Sequence, residues 1–259
     1  MTEHKPNGAF ALAISLPSWA WRNRPELWLL GGIFLAGLLL FTFVHIAEEV
    51  LEGDATKFDQ TVLLALRNPA DSADPLGSAW LEEAARDITA LGSYAVLGIV
   101  FIAVLAYLLM TQRRSAALWI AVATVGGVLL SNALKLTFDR PRPDLVAHTT
   151  RVFTPSFPSG HAMLSAVTFL TLGTLLASMQ TSRRLKIFFL GVAIALTVLV
   201  GVTRIYLGVH FPTDVLAGWC VGAGWAAICW TVFHWLQQRG TIEPAANDAL
   251  SEGDPANGR

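Results

Sequence analysis

Six runs of apolar side chains, most of them near the length of a bilayer crossing, divide this chain of 259 residues. They cover roughly 27–45, 91–110, 116–134, 163–179, 187–202 and 215–236. A helix needs about 20 mostly apolar residues to cross a hydrocarbon core. In that medium every backbone N–H and C=O must find its partner within the protein, which a helix provides. Composition points the same way. Only 14% of the residues are charged, against about 25% in an ordinary soluble domain, so much of the surface is solvated by something other than water. The fifth run is the shortest, and a buried core helix is the alternative for it. The expected fold class is all-α: a polytopic membrane helix bundle with six transmembrane helices.

The remaining bulk features exclude more than they assign. A net charge of -1 gives no electrostatic support for nucleic-acid binding. Cys220 and Cys229 share one apolar run, lie on different faces of a helix, and fit no metal pattern. Residues 1–26 read as a cytoplasmic or interfacial segment and 27–236 as one six-span domain. The first run has no small-x-small cleavage site and is long enough to span, so it reads as a retained helix. Residues 237–259 are polar and contain Pro and Gly, which reads as a disordered cytoplasmic tail. Trp19, Trp21, Trp28, Trp119 and Trp235 fall at or near run ends, where indoles favour the headgroup region, whereas Trp219, Trp225 and Trp230 read as packing residues. The connection 48–90 is long, with helical spacing over 58–67 and 75–88 and breaks at Asn68-Pro69 and Asp74-Pro75. It reads as an amphipathic cover, or as a lid that guides substrate.

Short basic loops stay in the cytoplasm. Arg113 and Arg114 fill the second connection, and Arg183, Arg184 and Lys186 fill the fourth. Both termini are then cytoplasmic, and the first, third and fifth connections face outward. The outer cations Lys135, Arg140, Arg142, Arg151 and Arg204 run against this bias, and they are concentrated near the ends of spans three to six.

Those span ends carry most of the chemistry. Lys135, Arg142 and Arg204 suit a phosphoryl group: guanidinium forks match its oxygens, and the ammonium adds a point charge. Ionisable groups at membrane depth are costly and generally functional, although snorkelling or headgroup contact also accounts for each one singly. Pro158-Ser159-Gly160-His161 directly precedes a span. Ser159 suits a helix cap, Gly160 admits an anion close to the backbone, and the helix N-terminus supplies free N–H groups. A phosphate there favours protonated His161. In Thr203-Arg204-x5-His210-x3-Asp214, Pro212 suits a first helical turn. Asp214 is then placed to orient the His210 imidazole and leave its other nitrogen with a lone pair; simple capping by Asp214 is the alternative.

The three stretches together resemble the signature of the type 2 phosphatidic acid phosphatase superfamily. Its pattern is Lys-x6-Arg-Pro, Pro-Ser-Gly-His, then Ser-Arg-x5-His-x3-Asp. Lys135, Arg142 and Pro143 match the first segment, Pro158 to His161 the second, and Arg204, His210 and Asp214 the third. Thr203 stands where the family usually has Ser. Arg140-Pro141 offers a second Arg-Pro pair at a spacing too short for the motif, so Arg140 is assigned an auxiliary role and Asp139 an ion pair with a neighbouring Arg. The resemblance implies an integral-membrane phosphatase acting on lipid phosphates or diphosphates, of undecaprenyl diphosphate, phosphatidylglycerol phosphate or phosphatidic acid type.

In that scheme His210 is the nucleophile, forming a phosphohistidine, with Asp214 orienting it. His161 is the proton donor and later the base. Lys135, Arg142, Arg204, Ser159 and Gly160 hold the phosphate. No cofactor and no metal is expected. The implied location is a bacterial inner membrane with the site on the periplasmic face. Two alternatives keep the same residues: a lipid phosphotransferase, and a non-enzymatic membrane protein with a vestigial site.

Overall fold

The computed structural model describes residues 24–144 and 155–240. Residues 1–23 of the N-terminal segment, Arg151 and the tail beyond 240 lie outside them. The helices are α1 (Arg24–Glu52), α2 (Ala55–Ala65), α3 (Ala79–Ala90), α4 (Tyr94–Met110), α5 (Arg114–Thr137), α6 (Gly160–Ser178), α7 (Arg183–Tyr206) and α8 (Pro212–Gln238). A short antiparallel hairpin, β1 (Arg67–Asn68) with β2 (Asp71–Pro75), lies between α2 and α3.

Five of these helices, α1 and α5 to α8, are long and apolar enough to cross a membrane. The expected second span is α4, shorter at 17 residues. It qualifies only together with α3, from which it is bent by 44°. Ser93 sets its start by accepting a hydrogen bond from the Val96 N–H at 3.3 Å. The bundle is therefore the expected all-α one, with a bent or shortened second crossing.

Helix α6 is the axis of the bundle. Its spanning window is 67% buried, against 11% for α1, and α4, α5, α7 and α8 all pack on it. Lipid tails are as apolar as leucine, so helices in a membrane associate through close packing rather than through a hydrophobic drive. Small residues supply the closeness here. A Cβ added to Gly218 of α8 would stand 2.7 Å from the Ser159 carbonyl oxygen and 3.1 Å from the Ala162 Cβ. Trp219 and Trp225 act as packing residues tied by single hydrogen bonds. Trp219 donates to the Thr197 carbonyl at 3.1 Å, and Trp225 to that of Ala123 at 2.8 Å.

The 48–90 connection packs down onto the ends of the spans. Helix α2 contacts α1 and α8, and α3 contacts α7. The helix expected over 75–88 begins instead at Ala79, with Pro75 closing β2. Asn68 and Asp71 explain the hairpin. Their side-chain oxygens accept from the Ala70 and Ala73 N–H groups at 3.1 and 2.9 Å, which fixes the local turns. Buried Arg67 then reaches the C-terminus of α7, donating to the Tyr206 carbonyl at 2.6 Å. The cation meets free carbonyls at the negative end of the helix dipole. Burial lowers the Arg67 pKa, which nearby Tyr206, Glu82 and Asp74 oppose.

The close contact at Gly218 yields a direct expectation. Gly218→Val adds volume where backbone from α6 already sits, and overpacking of this kind costs about 1–3 kcal/mol. Detergent-purified Gly218→Val shows a lower apparent Tm than the parent; an unchanged Tm would mean that α6 and α8 are not packed this tightly.

Candidate active site

Four helix ends meet at one end of the bundle: the C-termini of α5 and α7 and the N-termini of α6 and α8. Lys135 lies in the last turn of α5 and Arg204 in that of α7. Gly160 and His161 open α6, and Asp214 stands in the first turn of α8. Antiparallel neighbours produce this convergence without any help from the loops.

The start of α8 organises the centre. Pro212 occupies its first turn, where a missing N–H costs nothing. The Asp214 carboxylate reaches back to accept from the Phe211 N–H at 2.9 Å. The same oxygen, Oδ2, lies 3.3 Å from His210 Nδ1 and accepts a hydrogen bond from Ser156 Oγ. Capping and orientation of the histidine, posed as alternatives by the sequence, are one arrangement. The Asp214 carbonyl oxygen meanwhile accepts from the Ser159 N–H at 2.9 Å, which ties the start of α6 to the start of α8.

The His210 tautomer follows from its neighbours. Arg142 Nη1 lies 3.2 Å from Nε2. A guanidinium has no acceptor, so Nε2 presents its lone pair there and the proton sits on Nδ1, facing Asp214. Arg142 also donates to the Val209 carbonyl at 3.0 Å. Burial lowers the Arg142 pKa, opposed by Asp214. His210 is buried, and burial pushes its pKa down to about 4; the hydrogen bond to Asp214 opposes this, and Arg204 and Arg142 add to it. The imidazole is therefore a neutral base near neutral pH.

The remaining expected residues gather around this pair. Lys135 Nζ donates to the Pro155 carbonyl at 2.9 Å, and its Cε would stand 3.4 Å from a Cβ on Gly160. His161 lies within electrostatic reach of Arg204, His210, Arg142 and Lys135. Arg204 donates to Thr89 Oγ1 of α3 at 3.3 Å. Ser159 is the N-cap residue of α6, yet its side chain makes no capping bond. Ser159 Oγ, Ser131 Oγ and Arg204 Nε are buried with no hydrogen-bond partner among the described residues. A buried polar atom left dry costs about 1–3 kcal/mol, so orphaned donors beside this cluster of cations fit an anion. The Thr203 hydroxyl bonds back to the Val200 carbonyl at 2.7 Å, within its own helix.

Several residues escaped the sequence reading. Arg140 is not loosely auxiliary: it donates to Asp214 Oδ1 at 2.6 Å and to Asp59 Oδ2 at 2.6 Å. Asp139 is exposed and forms no ion pair among the described residues, contrary to expectation, because the Arg140 fork is turned inward to the two buried carboxylates. Asp59 arrives from α2, in the segment read as a cover or lid. One signal was available. Ala55, Asp59 and Leu63, spaced by four, form the buried face of α2, so a carboxylate interrupts an apolar stripe. Ser156, just ahead of the Pro-Ser-Gly-His stretch, carried no comparable signal.

The depressed pKa of His210 has a consequence for stability. The unfolded imidazole titrates near 6.5 and the folded one near 4. Between those values the unfolded chain binds a proton that the folded chain does not, so stability falls as pH drops through that window. The apparent Tm of purified protein declines from pH 6.5 to 4, and His210→Gln shows a shallower decline. Equal slopes for the two proteins would rule out a buried neutral His210.

Comparison with known proteins fits this geometry. A family model described as the PAP2 superfamily matches residues 116–238. Phosphatidylglycerophosphatase B of Bacillus subtilis is 33% identical over 192 residues, covering 73% of this chain and 87% of that protein. An undecaprenyl-diphosphatase of Sulfolobus acidocaldarius is 34% identical over 130 residues, covering 48% of this chain and 59% of that protein. The crystal structure of a transmembrane PAP2-type phosphatidylglycerolphosphate phosphatase from Bacillus subtilis superposes with a TM-score of 0.67 at 26% identity, covering 77% of this chain and 96% of that one. The relatives are membrane lipid phosphatases, and this chain is an integral membrane protein of the PAP2 superfamily.

Proposed function

We propose that this protein hydrolyses the phosphomonoester or diphosphate headgroup of a membrane lipid through a phosphohistidine on His210. The observation that carries the reading is the pairing of His210 Nδ1 with Asp214 and of Nε2 with Arg142. It leaves a neutral imidazole with its lone pair directed at a cationic cluster. The names of the relatives, which act on phosphatidylglycerophosphate and undecaprenyl diphosphate, support the same substrate class.

The chemistry runs in two displacements. A phosphoryl group entering the cluster takes over the Arg142 donors, which frees the Nε2 lone pair to attack phosphorus. The bond from phosphorus to the lipid oxygen breaks, and His161 delivers a proton to that oxygen. Negative charge on the bound phosphate favours the imidazolium form of His161. The phosphorylated imidazole is positive, and Asp214 offsets that charge while holding the Nδ1 proton. Lys135, Arg142 and Arg204, with Ser159 and Gly160 at the start of α6, hold the equatorial oxygens. In the second step His161, now neutral, takes a proton from water. The resulting hydroxide attacks phosphorus, the P–N bond breaks, and inorganic phosphate leaves with His210 restored.

Three fixed cations fill the charge-neutralising role that a metal serves in other phosphoryl-transfer sites, so turnover is proposed to be metal-independent. Arg113, Arg114, Arg183, Arg184 and Lys186 stand at the starts of α5 and α7, the opposite ends of those helices from this cluster. The protein is proposed to lie in a bacterial inner membrane with residues 27–236 as the catalytic domain. By the positive-inside rule, the site then faces the periplasm and both termini face the cytoplasm.

Purified protein in detergent is assayed on lipid monophosphates, lipid diphosphates and soluble phosphate esters. Free phosphate is expected from at least one lipid, EDTA leaves the rate unchanged, and His210→Ala lowers it by at least about 1000-fold. Parent-like release by His210→Ala would remove the nucleophile assignment. Loss of activity in EDTA with recovery in Mg²⁺ would remove metal independence. Transfer of labelled phosphate to a second lipid, with no free phosphate, would make the protein a phosphotransferase.

A further inference from the structure

We propose that Asp59 and Arg140 form a positioning arm that holds Asp214 in register with His210 and keeps its charge available to the imidazole. The arm serves the reaction only if His210 is the nucleophile, so it rests on the function proposed above.

Asp59 is fully buried, and both of its oxygens are in use. Oδ1 accepts from the Thr213 N–H at 2.9 Å, a free donor in the first turn of α8. Oδ2 accepts from Thr213 Oγ1 and from Arg140 Nη2, each at 2.6 Å. Arg140 Nη1 lies 2.8 Å from Thr213 Oγ1 and 2.6 Å from Asp214 Oδ1. The Arg140 guanidinium also lies over the Phe211 ring, 4.4 Å from its centroid. One planar fork therefore joins two carboxylates from different helices across the start of α8. With Oδ1 of Asp214 held from that side, Oδ2 is left turned toward His210, Ser156 and Phe211.

The charges explain why a second carboxylate is needed. Arg140 alone, bonded directly to Asp214, would neutralise the anion that must stabilise the phosphohistidine cation. Asp59 pairs with the same guanidinium from its other side. The Asp59–Arg140 pair is then neutral as a unit, and Asp214 keeps its negative charge toward His210. The arrangement differs from a plain structural ion pair in one respect: with the Asp59 charge removed, Asp214 alone of the two carboxylates is left to neutralise Arg140, and its charge is drawn from His210 toward the guanidinium.

Asp59→Asn tests this, since it is nearly isosteric and removes the charge; its one oxygen accepts from either the Thr213 N–H or Arg140, and its NH2 group cannot accept from the other. With a lipid phosphate that the parent hydrolyses, kcat is expected to fall about 10- to 100-fold, the range typical when a group supporting a reactive residue is removed, with KM within about twofold of the parent. In single-turnover rapid-quench experiments with enzyme in excess over a ³²P-labelled lipid, the rate constant for labelling His210, read from the loss of labelled lipid, falls by about the same factor as kcat. A purely structural lesion, which leaves a mixture of folded and unfolded copies, instead keeps the parent rate constant in the folded fraction. Arg140→Lys is the second variant, because an ammonium retains the charge but cannot bridge two carboxylates with a fixed fork. It is expected to lose kcat to a similar degree, and the double variant to fall little further than either single one, since both act through one path.

The controls separate the two proposals. A parent that releases no phosphate, or an active His210→Ala, overturns the proposed function. With an active parent and an inactive His210→Ala, the arm alone is overturned if Asp59→Asn keeps parent kcat, or if it raises KM without lowering the labelling rate. Should Asp59→Asn prove unstable, Arg140→Lys decides by the same criteria.

Discussion

The Asp214 carboxylate accepts from Arg140 on one oxygen and from Ser156, His210 and the Phe211 backbone on the other. A carboxylate without water is expensive unless its lone pairs are satisfied, and these are filled from three separate parts of the chain. The same residue caps α8 and orients His210, and its carbonyl fixes the start of α6. Removing this carboxylate would unpin both helix starts along with the histidine. Stability and chemistry at this end of the bundle are therefore not separable at Asp214, whereas at Lys135 and Arg204, whose hydrogen bonds go to the Pro155 carbonyl and to Thr89, they are more nearly so.

The rest of the bundle is permissive by comparison. The outward faces of α1 and α7 are lined with exposed Leu, Ile, Phe and Val that require only lipid. Between helices, the fit depends on small residues such as Gly218 and Gly222 of α8 against α6. Apolar packing of this kind tolerates small rotations and slides. The polar ties at the site end do not, because hydrogen bonds weaken steeply with distance and angle. Register among α5, α6, α7 and α8 is accordingly set at the end where the charges meet.

The sequence revealed the bundle because span length and apolar content are local properties. The polar residues that converge were legible through spacing: Lys135 with Arg142, Ser159 with His161, and Arg204 with His210 and Asp214. Each group lies within a few residues of a span end, and antiparallel packing then brings the ends together. What was not legible depends on contacts across long stretches of chain. Asp59 and Arg140 are 81 residues apart, and no local pattern announces their pairing. The hairpin after α2 was missed because Asn68 and Asp71 act through side-chain bonds to nearby backbone, while apolar spacing over the following residues suggested an earlier start for α3. Helix α4 was overestimated in length because Gly92 and Ser93 break a run whose composition stays apolar.

The 48–90 segment shows how placement changes meaning. Its sequence allowed a cover or a lid. Its helices carry Asp59 to Arg140 and Thr89 to Arg204, so both contribute polar contacts to the site. Lifting α2 away would part Asp59 from Arg140 and from both Thr213 donors, and would leave Asp214 as the one carboxylate of the pair still bonded to that guanidinium. Helix α2 is pinned by these bonds at the start of α8, so the segment is built into the polar network of the site rather than laid over it.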